Sequence, residues 1–157
     1  MFQGKNKAIT FSYDDGVTQD RRLIELFGRY GLKATFNLNS GLLGGYNRVP
    51  QQDVAALYAG HEIAAHTLTH PDLLKLGDEA VFREVEEDRL RLSELAGYTV
   101  IGMAYPYGTS DSRVVEAVGA VAKGFYFLLA AAGSAVVLFA LSIAVVCAST
   151  NAAYFAG

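Results

Sequence analysis

An alternation of short β-forming runs with amphipathic helical stretches, along the first 122 residues, limits the possible folds more than any other feature of the chain. The runs that predict strands are residues 8–13, 34–38, 61–66 and 100–105. The stretches that predict helices are residues 19–30, 51–60, 78–96 and 111–122. Such an alternation forms parallel βα units with right-handed crossovers. Four units make half of an eight-stranded barrel, which takes about 250 residues. We therefore predict an α/β fold, an incomplete (β/α) barrel.

Charge divides the chain into two regions. All 16 acidic residues and 12 of the 13 basic residues lie in residues 1–117, whereas residues 118–157 carry a single charge, Lys123. This predicts a polar front domain, 1–117, followed by a hydrophobic tail, 118–157. The excess of acidic residues argues against general nucleic-acid binding, because phosphate contacts need clustered Lys and Arg.

The tail contains 24 consecutive uncharged residues, 125–148. As a helix rising about 1.5 Å per residue they would extend roughly 36 Å, enough to cross a hydrocarbon core about 30 Å thick. We therefore expect a transmembrane C-terminal helix and a membrane location, with a helix buried in a protein core as the alternative. Arg113 and Lys123 precede the segment and no charge follows it, which favours a cytoplasmic front domain by the positive-inside rule.

The first 16 residues contain Lys5 and Lys7 but only a short apolar run, which leads into acidic residues rather than into a cleavage site. They therefore do not predict a signal peptide. The abrupt change of composition near residue 118 leaves a second interpretation open, in which the coding sequence is altered there and the front domain is cytoplasmic.

Polar clusters follow three of the predicted strands. Asp14 and Asp15 follow the first strand, His66 and His70 follow the third, and the turn 106–108 follows the fourth. The carboxyl ends of parallel strands share one face of a βα fold, and active sites are built there. We therefore expect these clusters to converge in space.

The two histidines lie four residues apart in the sequence His-Thr-Leu-Thr-His, before Pro71. Two threonines and a following proline favour an extended loop over a helix. Imidazole is a common ligand of zinc and similar metals, and a nearby carboxylate would complete a three-ligand site with an open position for water. The alternative is that both are ordinary loop histidines.

The aspartate pair has two interpretations as well. Adjacent aspartates at a strand end are often only turn and cap residues. Beside a metal, neighbouring residues that leave a strand point in different directions, so one can bind the metal while the other acts as a general base.

Together these motifs resemble those of the polysaccharide deacetylase family, the NodB-homology carbohydrate esterases of family 4. The resemblance covers residues 8 to about 117 and rests on three motifs: Ser-Tyr-Asp-Asp-Gly at 12–16, His-Thr-Leu-Thr-His at 66–70, and Ala-Tyr-Pro-Tyr at 104–107. It implies a NodB-type barrel, here with about four βα units.

The resemblance also implies an activity and its residues. The implied reaction is metal-dependent hydrolysis of an N- or O-acetyl group of a carbohydrate, often an N-acetylhexosamine polymer. Asp14 would be the general base, and the backbone amide of Tyr107 would donate to the oxyanion. Asp15, His66 and His70 would hold a divalent metal, commonly zinc or cobalt.

The chain departs from the family pattern at two places. Ala104 stands where the family has an arginine, and the later motifs, including the Leu-x-His element that supplies the general acid, have no counterpart. The histidines are His61, His66 and His70, and His61, at the start of the third strand, is predicted to be structural. The alternative function is therefore an inactive, membrane-attached remnant that retains metal or sugar binding. The acidic stretch 84–88 is predicted to be a solvated helix face.

Overall fold

The computed structural model of the chain describes residues 9–130, with side chains up to residue 121. The strands are β1 (Ser12–Asp14), β2 (Thr35–Leu38) and β3 (Glu62–Ala65). The α-helices are α1 (Asp20–Tyr30), α2 (Val54–Leu57), α3 (Asp78–Ala96) and α4 (Ser112–Ala130). Single 3₁₀ turns lie at Gln51–Asp53, Leu73–Lys75 and Pro106–Gly108.

The three strands form one parallel sheet in the order β1-β2-β3. Tyr13 is paired with Phe36, and Phe36 with Ile63, so the strands end close to one line across the sheet. This register brings the residues that follow the strands to a common edge, as the alternation of elements predicts.

The fourth predicted strand, 100–105, is wrong in extent. Its contact with the sheet is one parallel bridge between Met103 and Ala65, made by the Ala65 amide to Gly102 O and the Ala104 amide to Ala65 O, each at 2.9 Å. Gly102 weakens a strand and Pro106 cannot donate to a ladder. The segment nevertheless lies beside β3, where a fourth parallel strand would lie.

The helices pack an aromatic and aliphatic core against the sheet. Phe36 and Leu38 of β2 are fully buried, as is Leu92 of α3, and Phe27 of α1 joins them. Helix α1 is capped by Gly31, whose left-handed φ of 63° lets its amide reach the carbonyls of the last turn. The core therefore supports the sheet whose edge carries the polar clusters.

Within residues 9–130 no helix is long and apolar enough to cross a membrane. The expected span, 125–148, begins in α4, but residues 131–148 lie outside the described part of the chain. Membrane attachment stays a prediction from the sequence. So does the boundary between residues 117 and 118, which falls inside α4.

Candidate metal centre and active site

The first aspartate ends a strand and the second begins a sharp turn. Asp14 is the last residue of β1, and Asp15 adopts a left-handed φ of 80°. The Asp15 amide donates to Asn37 O at 2.8 Å, which continues the pairing with β2 by one residue. Gly16 follows with a φ of 63°, and a Cβ there would lie 3.0 Å from Leu38 Cδ2. The turn thus needs glycine at position 16, and it separates the directions of the two carboxylates.

The two oxygens of the Asp15 carboxylate have different surroundings: Oδ2 lies near a guanidinium, and Oδ1 has no hydrogen-bond partner among the described residues. The Arg48 guanidinium donates to Asp15 O at 2.6 Å and lies 3.5 Å from Asp15 Oδ2. Asp15 Oδ1 is buried, has no hydrogen-bond partner among the described residues and lies 3.7 Å from His70 Nε2. A buried carboxylate oxygen without a partner is costly, and a bound cation at that oxygen removes the cost.

His66 follows β3 and is buried. Its Nδ1 lies 2.9 Å from the carbonyl oxygen of Ala104. Because a carbonyl only accepts hydrogen bonds, this contact assigns the proton to Nδ1 and leaves the lone pair of Nε2 free for a metal. His66 Nε2 lies 4.0 Å from Asp14 Oδ2.

His70 reaches the same place through a strained loop. Thr67 and His70 have left-handed φ values of 68° and 58°, and the segment 66–70 is not helical, as predicted. The rings of His66 and His70 have centroids 4.8 Å apart. Backbone strain of this kind persists only where surrounding contacts enforce it, and it is concentrated at functional sites.

Three of the predicted residues form a compact ligand set. Asp15, His66 and His70 each offer one ligand atom, and the three atoms lie within 4.8 Å of one another. A carboxylate with two imidazoles suits zinc and other borderline divalent metals and leaves coordination positions open. The unpartnered Asp15 Oδ1 and the free Nε2 of His66 therefore fit a divalent metal.

Asp14 lies beside this set. The Asn37 side chain donates to Asp14 Oδ1 at 2.7 Å and to Ser12 Oγ at 2.8 Å, while the Asp14 side chain remains 55% exposed. Oδ2 is thus the oxygen available to take up a proton from solvent or substrate. Asn37 is a site residue that was not predicted from the sequence, although an asparagine inside the apolar run 34–38 signals a buried polar role.

Tyr107 lies over His70. The ring centroids are 4.8 Å apart, and Tyr107 is 68% exposed. Its φ is 60°, and the hydrogen bonds of this turn are donated by the amides of Gly108 and Thr109, to Tyr105 O and Pro106 O. The Tyr107 amide lies outside those bonds, which suits the oxyanion role implied for it.

The prediction that the acidic stretch 84–88 forms a solvated helix face is wrong for Asp88, and Glu84 is half-buried and hydrogen-bonded. Asp88 is fully buried: its Oδ1 accepts the Ser40 amide at 2.6 Å and its Oδ2 the His66 amide at 3.0 Å. Glu84, one turn earlier, accepts from the Thr69 amide at 2.9 Å and from Thr69 Oγ1 at 2.8 Å. Asp88 shares its helix face with the buried residues Val81, Val85 and Leu92, and this spacing is the signal for its burial. Burial raises the pKa of Asp88 to about 6, against the lowering effect of its hydrogen bonds.

His61 is placed apart from the metal ligands. It precedes β3, whereas His66 follows it, so the two lie at opposite ends of the strand. His61 Nδ1 accepts the Ala34 amide at 3.2 Å and the ring packs edge-on against Phe36, with centroids 5.4 Å apart. Burial lowers the pKa of His61, and Lys33 lowers it further. These contacts fit the structural role predicted for it.

Comparison with known proteins shows the family to which the chain belongs. The family model for polysaccharide deacetylase matches residues 3–123. The chain belongs to the polysaccharide deacetylase family. The peptidoglycan-N-acetylglucosamine deacetylase PgdA of Listeria monocytogenes is 27% identical over 117 residues, which cover 73% of this chain and 24% of that protein. The chitooligosaccharide deacetylase of Rhizobium leguminosarum bv. trifolii is 32% identical over 114 residues, 71% of this chain and 51% of that protein.

The solved structures show the fold of this polysaccharide deacetylase family member. The Streptococcus pyogenes deacetylase PplD, in complex with acetate, superposes with a TM-score of 0.70 at 20% identity, covering 75% of this chain and 54% of that one. The α/β fold of the NodB type is therefore confirmed. The chain spans about a quarter of the length of the first curated relatives, 24%.

Proposed function

We propose that this chain carries the metal-binding and base-bearing part of a carbohydrate deacetylase, which hydrolyses N- or O-acetyl groups of an N-acetylhexosamine polymer or a related carbohydrate. The observation that carries the proposal is the ligand set of Asp15, His66 and His70, with its unpartnered Asp15 Oδ1. The names of the relatives, deacetylases of peptidoglycan and of chitooligosaccharides, support the substrate class.

The protein residues divide the work by position. Asp15, His66 and His70 would hold zinc or cobalt, which when bound acidifies water and polarises an acyl oxygen. Asp14 takes up a proton at Oδ2, because Oδ1 is occupied by the Asn37 amide. The Tyr107 amide donates to the negative charge that develops on the acetyl oxygen.

The test is acetate release from acetylated chito-oligosaccharides by the full chain, loaded with zinc or cobalt. Asp14→Asn should reduce release by about a hundredfold or more, the usual contribution of a general base, while metal stoichiometry is kept. Asp78→Asn is the matched control, because that aspartate is 70% exposed and pairs with Arg113, and neither residue belongs to the proposed site. Release that does not depend on Asp14 would contradict the proposed base.

A second candidate is a binding protein that retains the metal or sugar site without turnover. The roles of the histidines favour this candidate. Among the three histidines of the sequence, His66 and His70 belong to the ligand set and His61 has a structural contact, so none of the three is available as a general acid. In the same assay, stoichiometric metal without any acetate release would support this candidate over the hydrolase.

A further inference from the structure

Both histidines of the proposed metal site lie on one five-residue loop, 66–70, and helix α3 contacts that loop along its length. The His66 amide is shared between Leu38 O at 2.9 Å and Asp88 Oδ2 at 3.0 Å. The Leu68 amide donates to Glu84 O at 2.9 Å. The Thr69 amide and hydroxyl donate to the two oxygens of the Glu84 carboxylate. Two acidic residues one helical turn apart thus bind His66 and Thr69, on either side of Thr67, which has a left-handed φ.

Asp88 also connects this loop to the end of the neighbouring strand. Its second oxygen accepts the Ser40 amide, which follows β2, at 2.6 Å. Asn39, beside Ser40, donates to the carbonyl of Thr67 at 2.9 Å and to that of His66. A fully buried carboxylate between two strand ends is costly to bury, and its two backbone donors are what compensate for it.

We propose that Asp88 and Glu84 are positioning residues, which set the backbone of the loop so that His66 and His70 face Asp15. The inference rests on the proposed metal site, and neither residue touches metal or substrate. Outer contacts that orient metal ligands commonly change metal affinity by 10- to 100-fold when removed.

The two carboxylates differ in what can replace them. The two backbone partners of Asp88 are N–H donors, so a carboxamide there can accept from only one and turns its own NH₂ toward the other. The partners of Glu84 are an amide and a hydroxyl, and a hydroxyl also accepts, so a carboxamide can satisfy both. The proposal therefore makes opposite predictions for the same chemical change at the two positions.

The experiment measures cobalt affinity of the full chain by competition with a chromophoric chelator, together with the visible spectrum of the bound Co²⁺. Asp88→Asn and Glu84→Ala should weaken binding about tenfold or more and alter the spectrum. Glu84→Gln should bind Co²⁺ nearly as the unaltered chain does. Glu87→Gln and Glu87→Ala are the matched controls, because Glu87 pairs with Arg91 on the same helix and should leave affinity unchanged.

A second readout needs no metal. Side-chain ¹⁵N NMR of the metal-free protein reports the tautomer and order of the His66 and His70 rings. Asp88→Asn and Glu84→Ala should shift these signals, whereas the Glu87 variants should not. If Asp88→Asn does not fold, the positioning role is tested by the difference in Co²⁺ affinity between Glu84→Ala and Glu84→Gln.

The outcomes separate the two proposals. If the unaltered chain binds no Co²⁺ but the ring signals shift as expected, the metal site is wrong and the positioning role stands. If the unaltered chain binds Co²⁺ and the Glu84 and Asp88 variants bind it equally, with unchanged ring signals, the positioning role is overturned.

Discussion

His66 Nδ1 lies 2.9 Å from the carbonyl oxygen of Ala104. The imidazole that follows β3 is therefore oriented by the backbone of Ala104, the residue after the bridge between Met103 and Ala65. The side chain at position 104 is not what makes this contact. A residue that departs from the family motif therefore still contributes to the site, through a peptide group that every amino acid supplies. The contact also links the second and third motifs directly.

This contact predicts the tautomer of His66. In the metal-free protein, the neutral ring should carry its proton at Nδ1, because the Ala104 carbonyl can only accept. Long-range ¹⁵N NMR distinguishes the two tautomers. Ala104→Ser retains the carbonyl and should leave the tautomer unchanged, whereas a His66 ring protonated at Nε2 would contradict the assignment.

Single replacements of the three histidines should distinguish the residues that bind metal from the one that stabilises the fold. His66→Ala and His70→Ala should each abolish stoichiometric zinc or cobalt, because each removes one of the three ligands. His61→Ala should keep the metal and lower the free energy of unfolding by about 1–2 kcal/mol, through loss of the Ala34 hydrogen bond and ring packing. Metal content by elemental analysis and urea unfolding are the measurements. Unchanged metal in both ligand variants would rule out the site.

The buried pair of Asp20 and Tyr58 predicts a pH dependence of stability. Tyr58 OH donates to Asp20 Oδ2 at 2.7 Å, and burial raises the pKa of Asp20 above its ordinary value of 3.8. The folded state then holds this proton more tightly than the unfolded chain, so the contribution of Asp20 falls as pH rises from 3.8 through the folded pKa. Asp20→Asn keeps an acceptor for Tyr58 and removes this fall.

The measurement for this pair is urea unfolding of both proteins over a pH series that rises from about 4, just above the ordinary pKa of the carboxyl. The free energy of unfolding of Asp20→Asn, minus that of the unaltered chain, should increase with pH. This subtraction removes the contributions of the other carboxylates to the free energy of unfolding, because those groups titrate in both proteins. A difference that stays flat or decreases would contradict the raised pKa.

Gly41 predicts a coupling between the loop after β2 and the histidine loop. A Cβ at this position would lie 2.5 Å from Leu68 O, which accepts the Gly41 amide at 3.0 Å. Gly41→Ala should therefore displace residues 66–70, cost about 1–3 kcal/mol of stability and weaken metal binding. Gly28→Ala is the control: nothing lies within 4 Å of its Cβ, and alanine in α1 should stabilise by up to about 1 kcal/mol. Equal metal affinity in both variants would refute the coupling.

Helices α1 and α3 were predictable because their signals are local. The prediction of 78–96 coincides with α3, and that of 19–30 differs from α1 by one residue, since apolar periodicity and a terminal glycine act within a few turns of one another. The fourth strand was not predictable in extent, because strand length depends on a neighbour to pair with. The apolar run 100–105 makes one bridge.

By itself, the sequence determined the alternation of elements and hence which polar clusters follow strands. That was enough to bring Asp14, Asp15, His66 and His70 to one edge of the sheet. Only the tertiary structure decided that Asn37 holds Asp14, and that Asp88 and Glu84 bind the histidine loop. These contacts join residues 15 to 23 positions apart on different elements. Their formation depends on packing and burial, which periodicity along one segment does not encode.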